Sequence, residues 1–445
     1  MTRGDSACLI WVKTHISIRP GGDVRSERIS PLLEQYRPGY GLPAGFYTDP
    51  DVWAADIELL ERFWYIVGHV SQIPDAGDTM VVSLLGESII VVRGSDGIVR
   101  AFYNVCSHRA ARLCDESAKG LRQLTCPYHN WSYSLEGRIK SRRLEVVFDE
   151  TFDPEAHNLR PCHLRVFQGL IFLSVSDTPT DFDAAYQPFH ELFQYYGIAD
   201  AKVIRVHGFP ATANWKTLVE NTIDPYHVPV VHPNFTKTRT PAYWQAAAAT
   251  RTAEVITAEA QAEQEMKEWE AALTQLPDVT GVVVQDGEEA EQFRWLVRGP
   301  LAPGYQSETI GGKRVAPLMG RFTESDGASV FSNFNPLDSL FMSADHATMF
   351  SIRPAAHNEV YWQTTWLVDK DAEEGRDYDV DEVCEFYTEV NDEDFPIWER
   401  TYQGATSRAY RPGRLAPQES FIGDFQRWYV RRLRQQVGTP EPVSA

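Results

Sequence analysis

The stretches Cys106-Ser-His108 and Cys126-Pro-Tyr-His129 decide the fold of this chain. Each supplies one thiolate and one imidazole, and the 17 residues between them are enough for a β-hairpin. A Rieske [2Fe–2S] cluster needs this set, because two histidines replace two cysteines on one of its irons. A structural zinc site is the alternative, but it commonly uses paired Cys-x2–4-Cys and His-x3–5-His elements. We therefore expect Cys106, His108, Cys126 and His129 to bind a Rieske cluster.

A second group of candidate metal ligands is Asp224-Pro-Tyr-His227 followed by His232. Ferrous oxygenases use two histidines and one carboxylate on one face of the iron, which leaves positions for O₂ and substrate. Asp224 precedes His227 by three residues, so on a helix it would share that face and accept the ring N–H. A pair of histidines is by itself more often a surface or core feature. Its weight here comes from sharing the chain with the first motif.

The local sequence around the histidines predicts where each one lies. We expect a helix from Asn214 to His227, which Pro229 and Pro233 would end, so that His232 comes from the following turn. The third ligand must come from elsewhere in the chain. The acidic residues of 391–394 are candidates, although acidic groups at a helix start usually act as caps or dipole partners.

Composition excludes several classes of protein. The 445 residues carry a net charge of −20 without a basic stripe, which argues against nucleic acid and anionic membrane as partners. No apolar run approaches the roughly 20 residues of a membrane span, and the stretch from Cys8 to Val12 is too short for a signal peptide. Six cysteines in so long a chain do not make a disulfide framework. We expect a soluble cytoplasmic protein.

Hydrophobic patterns predict an α+β chain with a small β domain. Residues 1–40 are expected to form an irregular arm, and 41–63 to include a helix beginning near Asp49. Residues 64–176 read as short strands with turns such as Ser95-Asp96-Gly97, and 177–445 as a mixed catalytic domain. Within it we expect strands at 329–334, 347–353 and 360–368, and helices at 381–398 and 419–433. The acidic stretch 252–273 is predicted to be a solvated helix, or alternatively a lid over the substrate.

Several stretches resemble the α subunit of Rieske non-haem iron oxygenases, the ring-hydroxylating oxygenases. They are NVCSHRA, CPYHNWSYSLEG, NWKTLVENTIDPYHVPVVHP, PLDSLFMSADHATMF and EDFPIWERTYQG, and the similarity runs from about Gly41 to Tyr429. The resemblance implies a Rieske domain inserted before a helix-grip catalytic domain. It implies that His227, His232 and Asp394 bind a mononuclear Fe(II) and that Asp224 is the bridging carboxylate.

The same resemblance implies how electrons would reach the iron. Family members are usually homotrimers, in which His129 of one subunit would meet Asp224 of its neighbour. The chain has no flavin or nicotinamide fingerprint, so a separate NAD(P)H-dependent reductase or a ferredoxin is expected. Small organic molecules and O₂ would be the substrates. A Rieske electron carrier without catalysis is the alternative from another class, but such a carrier needs only the β domain.

The layout from LPAGFYTDPDVW onward is similar to the branch that oxidises quaternary amines such as carnitine, choline and glycine betaine. This similarity implies hydroxylation or oxidative N-demethylation. An aromatic-ring hydroxylating dioxygenase is the alternative, since Asp224 stands where the carnitine type usually has Glu. Two other positions also differ from the family. Ala110 stands where Gly is common, and Asn130 stands where Gly or Ala is common. A quaternary amine would need a cation–π cage, for which Tyr243, Trp244, Trp295 and Phe322 are candidates. Such aromatic residues are more often part of the core, and a flat aromatic substrate would stack on the same side chains.

Overall fold

The structure is a computed structural model that describes residues 22–141, 151–241 and 291–439, and between them positions 243, 260, 261, 264, 267, 284 and 285. Contacts divide these residues into two compact units. The first unit is Glu61–Thr180, and the second unit comprises the residues before and after it. The segment 64–176, predicted to be a β domain, falls within the first unit.

The first unit consists of three antiparallel sheets of three strands each, with the orders β1-β9-β8, β2-β3-β4 and β5-β6-β7. Branched residues fill the longer strands, whereas the loop Cys126–His129 lies between the two shortest strands. The strands are β1 Tyr65–His69, β2 Thr79–Leu84, β3 Glu87–Arg93, β4 Val99–Tyr103, β5 Leu124–Thr125, β6 Ser132–Tyr133, β7 Ile139–Ser141, β8 His163–Phe167 and β9 Leu170–Ser174.

Glycine is required at the turn between β6 and β7. Gly137 has a φ of 84°, a conformation that other residues rarely adopt. A Cβ atom there would lie 2.3 Å from the ring of Phe102. The turn therefore packs directly on the core of the first unit, which also contains Cys106, Cys126 and Trp131.

The second unit is built on one seven-stranded antiparallel sheet in the order β10-β16-β15-β14-β13-β12-β11. Its strands are β10 Ala201–Ala211, β11 Val284–Gln285, β12 Trp295–Pro300, β13 Ala328–Asn335, β14 Asp338–Met342, β15 Ala347–Ala356 and β16 Glu359–Asp369. Three of them confirm the strands predicted at 329–334, 347–353 and 360–368.

Helices of the second unit lie before β10, between β10 and β11, and after β16 in the chain. They are α1 Gly22–Gln35, α2 Gly45–Thr48, α3 Pro50–Leu60, α4 Phe182–Tyr186, α5 His190–Tyr195, α6 Trp215–Thr222, α7 Val228–Val231, α8 Pro233–Thr236, α9 Val380–Ala405 and α10 Ser420–Val437. The long helix α9 packs on β10, α6 and α8, and α10 packs on α1 and α3. The α+β class is confirmed, as are the helices predicted at 381–398 and 419–433.

The prediction of an irregular arm over residues 1–40 was wrong for α1. Ile29 and Leu33 lie one turn apart on this helix and are fully buried. Arg434 of α10 donates to the carbonyl of Leu33 over 3.1 Å. Pro31 stands inside the helix, where it removes a backbone hydrogen bond. Packing on α10 outweighs that loss, and the proline hides the helical pattern in the sequence.

The predicted helix from Asn214 to His227 is shorter than expected. The side chain of Asn214 caps α6 by accepting from the N–H of Lys216 over 3.0 Å. The helix ends at Thr222 because Pro225 disfavours a helical conformation of the preceding residue. Pro229 and Pro233 do not end this helix; they occupy the first turns of α7 and α8. The acidic segment 252–273 lies outside the described residues except for positions 260, 261, 264 and 267.

Among the described residues, no helix combines the length and the apolar character that crossing a lipid bilayer requires.

Candidate metal centres and substrate pocket

The two cysteine–histidine loops share one backbone design. In each loop the cysteine carbonyl accepts from the N–H four residues later, over 3.0 Å at Ala110 and 3.0 Å at Asn130. The N–H groups of Cys106 and Cys126 donate to the carbonyl five residues later, over 2.8 and 2.7 Å. Ala110 and Asn130 close these turns with φ values of 57° and 59°. Glycine suits such a conformation best, which explains why Gly is common in the family at these two positions.

The donor atoms of the two loops face a common space. Cys106 and Cys126 are 2% and 1% exposed, and the ring centres of His108 and His129 lie 4.7 Å apart. The Nδ1 atom of His108 is buried and has no hydrogen-bond partner among the described residues. Burial raises the pKa of the Cys126 thiol, and its neighbour Cys106 raises it further. Two soft thiolates and two imidazoles, one of them with an orphaned nitrogen, fit a Rieske cluster.

Tyr133 is a functional candidate that sequence reasoning missed. Its hydroxyl lies 3.3 Å from Sγ of Cys106 and 2.9 Å from Oγ of Ser107. Hydrogen bonds to the sulfurs of an iron–sulfur centre tune its reduction potential. The only signal in the sequence was the position of Tyr133 in a strand directly after the second loop.

His227, His232 and Asp394 come together in the second unit, with one ligand atom of each within 4.8 Å of the others. The two Nε2 atoms are 3.2 Å apart. Oδ1 of Asp394 lies 3.6 Å from Nε2 of His227 and 3.2 Å from Nε2 of His232. Two imidazoles and a carboxylate fit an open ferrous site.

Carboxylates hold the outer nitrogens of both histidines. Nδ1 of His227 lies 3.0 Å from Oδ2 of Asp224, and Nδ1 of His232 lies 2.7 Å from Oε2 of Glu393. Such partners fix the ring orientation and leave Nε2 free to bind metal. Asp224 keeps this contact although α6 has already ended, because its Oδ1 accepts from the N–H of Tyr226 over 2.7 Å.

Asn221 links the carboxylate of Asp394 to the rest of the site. Its Nδ2 donates to Oδ1 of Asp394 over 3.1 Å, and its Oδ1 accepts from Nε1 of Trp398 over 2.7 Å. Trp398 is one helical turn beyond Asp394 on α9. The sequence carries no signal for this link, because it depends on how α9 docks against α6.

A cavity of about 150 Å³ opens beside the three candidate iron ligands. One aromatic ring from each of four neighbouring strands lines it: Phe331, Phe341, Phe350 and Trp362. Successive ring centres lie 4.8, 5.1 and 5.4 Å apart. We refer to these four residues as the aromatic row. Tyr387 of α9 faces it, 5.1 Å from Phe350.

The candidate residues for a cation cage have different outcomes. Tyr243 and Trp295 line the cavity. Phe322 is instead a core residue, because its ring packs at 4.8 and 4.9 Å on Tyr195 and Tyr196. Trp244 lies outside the described residues.

Two family descriptions match the chain. The Rieske [2Fe-2S] domain covers residues 63–147, and the ring hydroxylating alpha subunit (catalytic domain) covers residues 198–435. The glycine betaine monooxygenase oxygenase subunit of Pseudomonas aeruginosa is 32% identical over 410 residues, 92% of each chain. That of Chromohalobacter salexigens is 30% identical over 425 residues, 92% of this chain and 90% of its own.

Solved structures share the fold. A quaternary ammonium Rieske monooxygenase has a TM-score of 0.67 and 23% identity, over 89% of this chain and 96% of its own. Naphthalene 1,2-dioxygenase from Rhodococcus has a TM-score of 0.64 and 17% identity, over 92% of this chain and 98% of its own.

Fold, site and matches define an oxidoreductase of the Rieske type, with a [2Fe–2S] domain followed by a mononuclear-iron catalytic domain. The chain belongs to the ring-hydroxylating α-subunit family of Rieske oxygenases. This confirms the family expected from the motifs. The alternative of an electron carrier is not supported, because the match extends across the catalytic domain.

Proposed function

We propose that this chain is the oxygenase component of a monooxygenase that N-demethylates a quaternary ammonium compound. The observation that carries the proposal is the aromatic row beside the histidine–carboxylate site, because aromatic faces attract quaternary ammonium groups. Relatives at 30–32% identity over 92% of this chain are glycine betaine monooxygenase subunits, which supports the same substrate class.

The reaction balances as a monooxygenation. One oxygen atom of O₂ enters a methyl C–H bond next to nitrogen, and the other leaves as water with two electrons and two protons. The resulting N-hydroxymethyl group breaks its C–N bond, which releases formaldehyde and one proton and leaves a tertiary amine. A separate reductase or ferredoxin supplies the two electrons.

We propose that Cys106, His108, Cys126 and His129 hold the cluster and that His227, His232 and Asp394 hold the iron. When bound, the cluster supplies electrons one at a time and the ferrous iron supplies O₂ activation. The outer carboxylates Asp224 and Glu393 hold the two imidazoles in orientation. Asn221 fixes one oxygen of Asp394. The aromatic row excludes water from the substrate carbon.

We further propose a homotrimer in which His129 of one subunit approaches Asp224 of the next. Exposed apolar side chains flank both residues. Tyr128, next to His129, is 55% exposed, and near Asp224 Tyr226 and Val230 are 54% and 84% exposed. Apolar surface of this kind beside both ends of an electron path fits burial in a subunit interface.

Hydroxylation of an aromatic ring is the second candidate, favoured by Asp224 as the bridging residue. A flat ring would stack on the same aromatic row, so the two candidate functions must be distinguished by a turnover assay. The reduced protein, loaded with iron and cluster, is mixed with O₂ and either N-methylated betaines or small aromatic acids and amides. Formaldehyde from the first pool supports the proposal, whereas ring hydroxylation in the second pool alone contradicts it.

The variant His227→Ala tests the metal centre itself. It should abolish product formation and leave the visible spectrum of the cluster intact. His207→Ala, a substitution of an exposed histidine on β10, is the matched control and should retain turnover. Retained turnover in His227→Ala would contradict an oxygenase built on this residue.

A further inference from the structure

We infer that the substrate carries a carboxylate and that Arg239 binds it, with the indole N–H of Trp295 as a second donor. This inference rests on the proposed function and adds to it the recognition of the end of the substrate remote from the reacting methyl group.

Arg239 is the one lysine or arginine among the described residues that line the cavity. Arg239 is 4% exposed, so bulk water screens its charge only weakly. The guanidinium lies 5.1 Å from the ring centre of Phe331 and 5.9 Å from that of Tyr243. The guanidinium has five N–H donors, so it can bind a substrate carboxylate in addition to its partner Glu308.

Glu308 pairs with Arg239, and two other groups also hold the guanidinium: Nη2 donates to Oγ of Ser329 over 2.6 Å, and Nη1 donates to the carbonyl of Thr238 over 3.1 Å. Nη2 of Arg239 lies 3.3 Å from Oε1 of Glu308, longer than the about 2.8 Å of a tight charge-assisted bond. Oε1 of Glu308 also accepts from Ser329 over 3.2 Å, and Oε2 accepts from the hydroxyl of Tyr387. The carboxylate is thus shared among three donors. Glu308 is not among the cavity-lining residues, whereas Arg239 is.

Trp295 adds an independent sign of a missing partner. It is 7% exposed and lines the cavity, yet its Nε1 has no hydrogen-bond partner among the described residues. A buried N–H without an acceptor is costly, and a carboxylate oxygen would satisfy it. Trp295 pairs with Asn333 of β13, two residues from Phe331, so strand periodicity places Trp295 on the face that carries Phe331.

The acidic and basic side chains that line the cavity are separated along it. Asp224 and Asp394 line it at the metal end. Tyr387, which contacts Glu308, precedes Asp394 by seven residues on α9, or about 10.5 Å along the helix. A small zwitterion would lie between them with its carboxylate toward Arg239, so that its ammonium end points toward the metal end. This orientation presents an N-methyl group to the iron.

The first test changes the ligand and leaves the protein intact. Calorimetry on the anaerobic, reduced holoenzyme would compare glycine betaine with its carboxamide, in which the charge is removed and the shape is kept. We expect glycine betaine to bind about 10- to 100-fold more tightly, the range of a hydrogen-bonded charge. Equal affinities would overturn the inference.

The second test changes the protein. Arg239→Gln should raise KM for glycine betaine by about 10- to 100-fold and leave the affinity for choline, which has no carboxylate, unchanged. Trp295→Phe keeps the ring and should raise the same KM several-fold, which covers the case that Arg239→Gln does not fold. Arg321→Gln removes an arginine whose Nη2 contacts Gln194 and is the matched control.

The outcomes separate the two proposals. If the wild-type enzyme demethylates glycine betaine and neither variant changes its KM, only this inference fails. If both variants weaken glycine betaine and choline equally, the residues have a structural role and the inference also fails. If the wild-type enzyme releases formaldehyde neither from choline nor from any N-methylated betaine, the proposed function fails together with it.

Discussion

Glu393 and His232 are joined by a 2.7 Å contact between Oε2 and Nδ1, while the adjacent Asp394 faces Nε2 of the same ring at 3.2 Å. Two consecutive residues of α9 thus contact the two ring nitrogens of one imidazole. One carboxylate orients the ring, and the other completes the candidate ligand set.

Glu393→Gln should therefore weaken iron binding without removing a ligand. We expect about 10- to 100-fold lower affinity for ferrous iron, the usual cost of losing such an orienting partner. An anaerobic iron titration measures it. Glu389→Gln, one turn earlier on α9 and bonded to Asn234, is the matched control. An unchanged affinity in Glu393→Gln would show that the ring needs no support from this carboxylate.

Asp224→Asn should separate iron binding from turnover. The amide can still contact the ring of His227 but removes the charge beside it. At saturating iron we expect product formation with the reductase to fall at least about tenfold, with the cluster spectrum unchanged. Stopped-flow reduction of the cluster by the reductase serves as the internal control and should keep its wild-type rate. Wild-type turnover at saturating iron would contradict a role for this charge.

Ala110→Gly should stabilise the first cysteine–histidine loop. Alanine at a φ of 57° is strained by about 1 kcal/mol, and glycine removes that strain. We expect the temperature at which the cluster absorbance is lost to rise by a few degrees. Ala111→Gly, at a neighbour that is not among the positive-φ residues, should lower it. Equal shifts in both variants would refute the strain argument.

Glu220 should make stability depend on pH. Burial raises its pKa from 4.5 to about 7, although Gln426 and Tyr47 donate to its oxygens. The folded protein therefore binds the proton more tightly than the unfolded chain, and the free energy of unfolding falls as the pH rises through this window.

Glu220→Gln keeps the neutral form of this side chain at every pH. It should lose less stability than the wild type between about pH 5 and about pH 8, by up to about 3 kcal/mol. Urea unfolding at both pH values, followed by tryptophan fluorescence, measures the difference. Glu385→Gln, an exposed position on α9, should follow the wild type. Parallel wild-type and Glu220→Gln curves would contradict the prediction.

Features encoded within a few residues could be predicted from the sequence. The loops around Cys106 and Cys126, the pair His227 and His232, and the long strands of the second unit all depend on local spacing and composition. The aromatic row could not, because its four rings meet only through the register of separate strands. For the same reason the sequence could not show whether Phe322, a candidate for the cage, faces the cavity or the core.

Docking of helices was equally beyond the sequence. Asn221 and Glu393 reach the candidate iron site because α6 and α9 pack together. Asn221 belongs to no local metal-binding pattern, and the acidic stretch 391–394 did not show that Glu393 would orient His232 while Asp394 faces the metal. Pro31 had the opposite effect and concealed α1, whose stability comes from α10 at the far end of the chain.

The aromatic row lies on the sheet, whereas His227, His232 and Asp394 lie on or beside helices. A substitution in the aromatic row therefore changes the cavity wall without replacing a candidate metal ligand. Mutations confined to β13–β16 can therefore change which substrate fits the cavity, while the redox chemistry stays the same. The same fold occurs in a quaternary ammonium Rieske monooxygenase and in naphthalene 1,2-dioxygenase, which fits a cavity wall that can vary separately from the metal ligands.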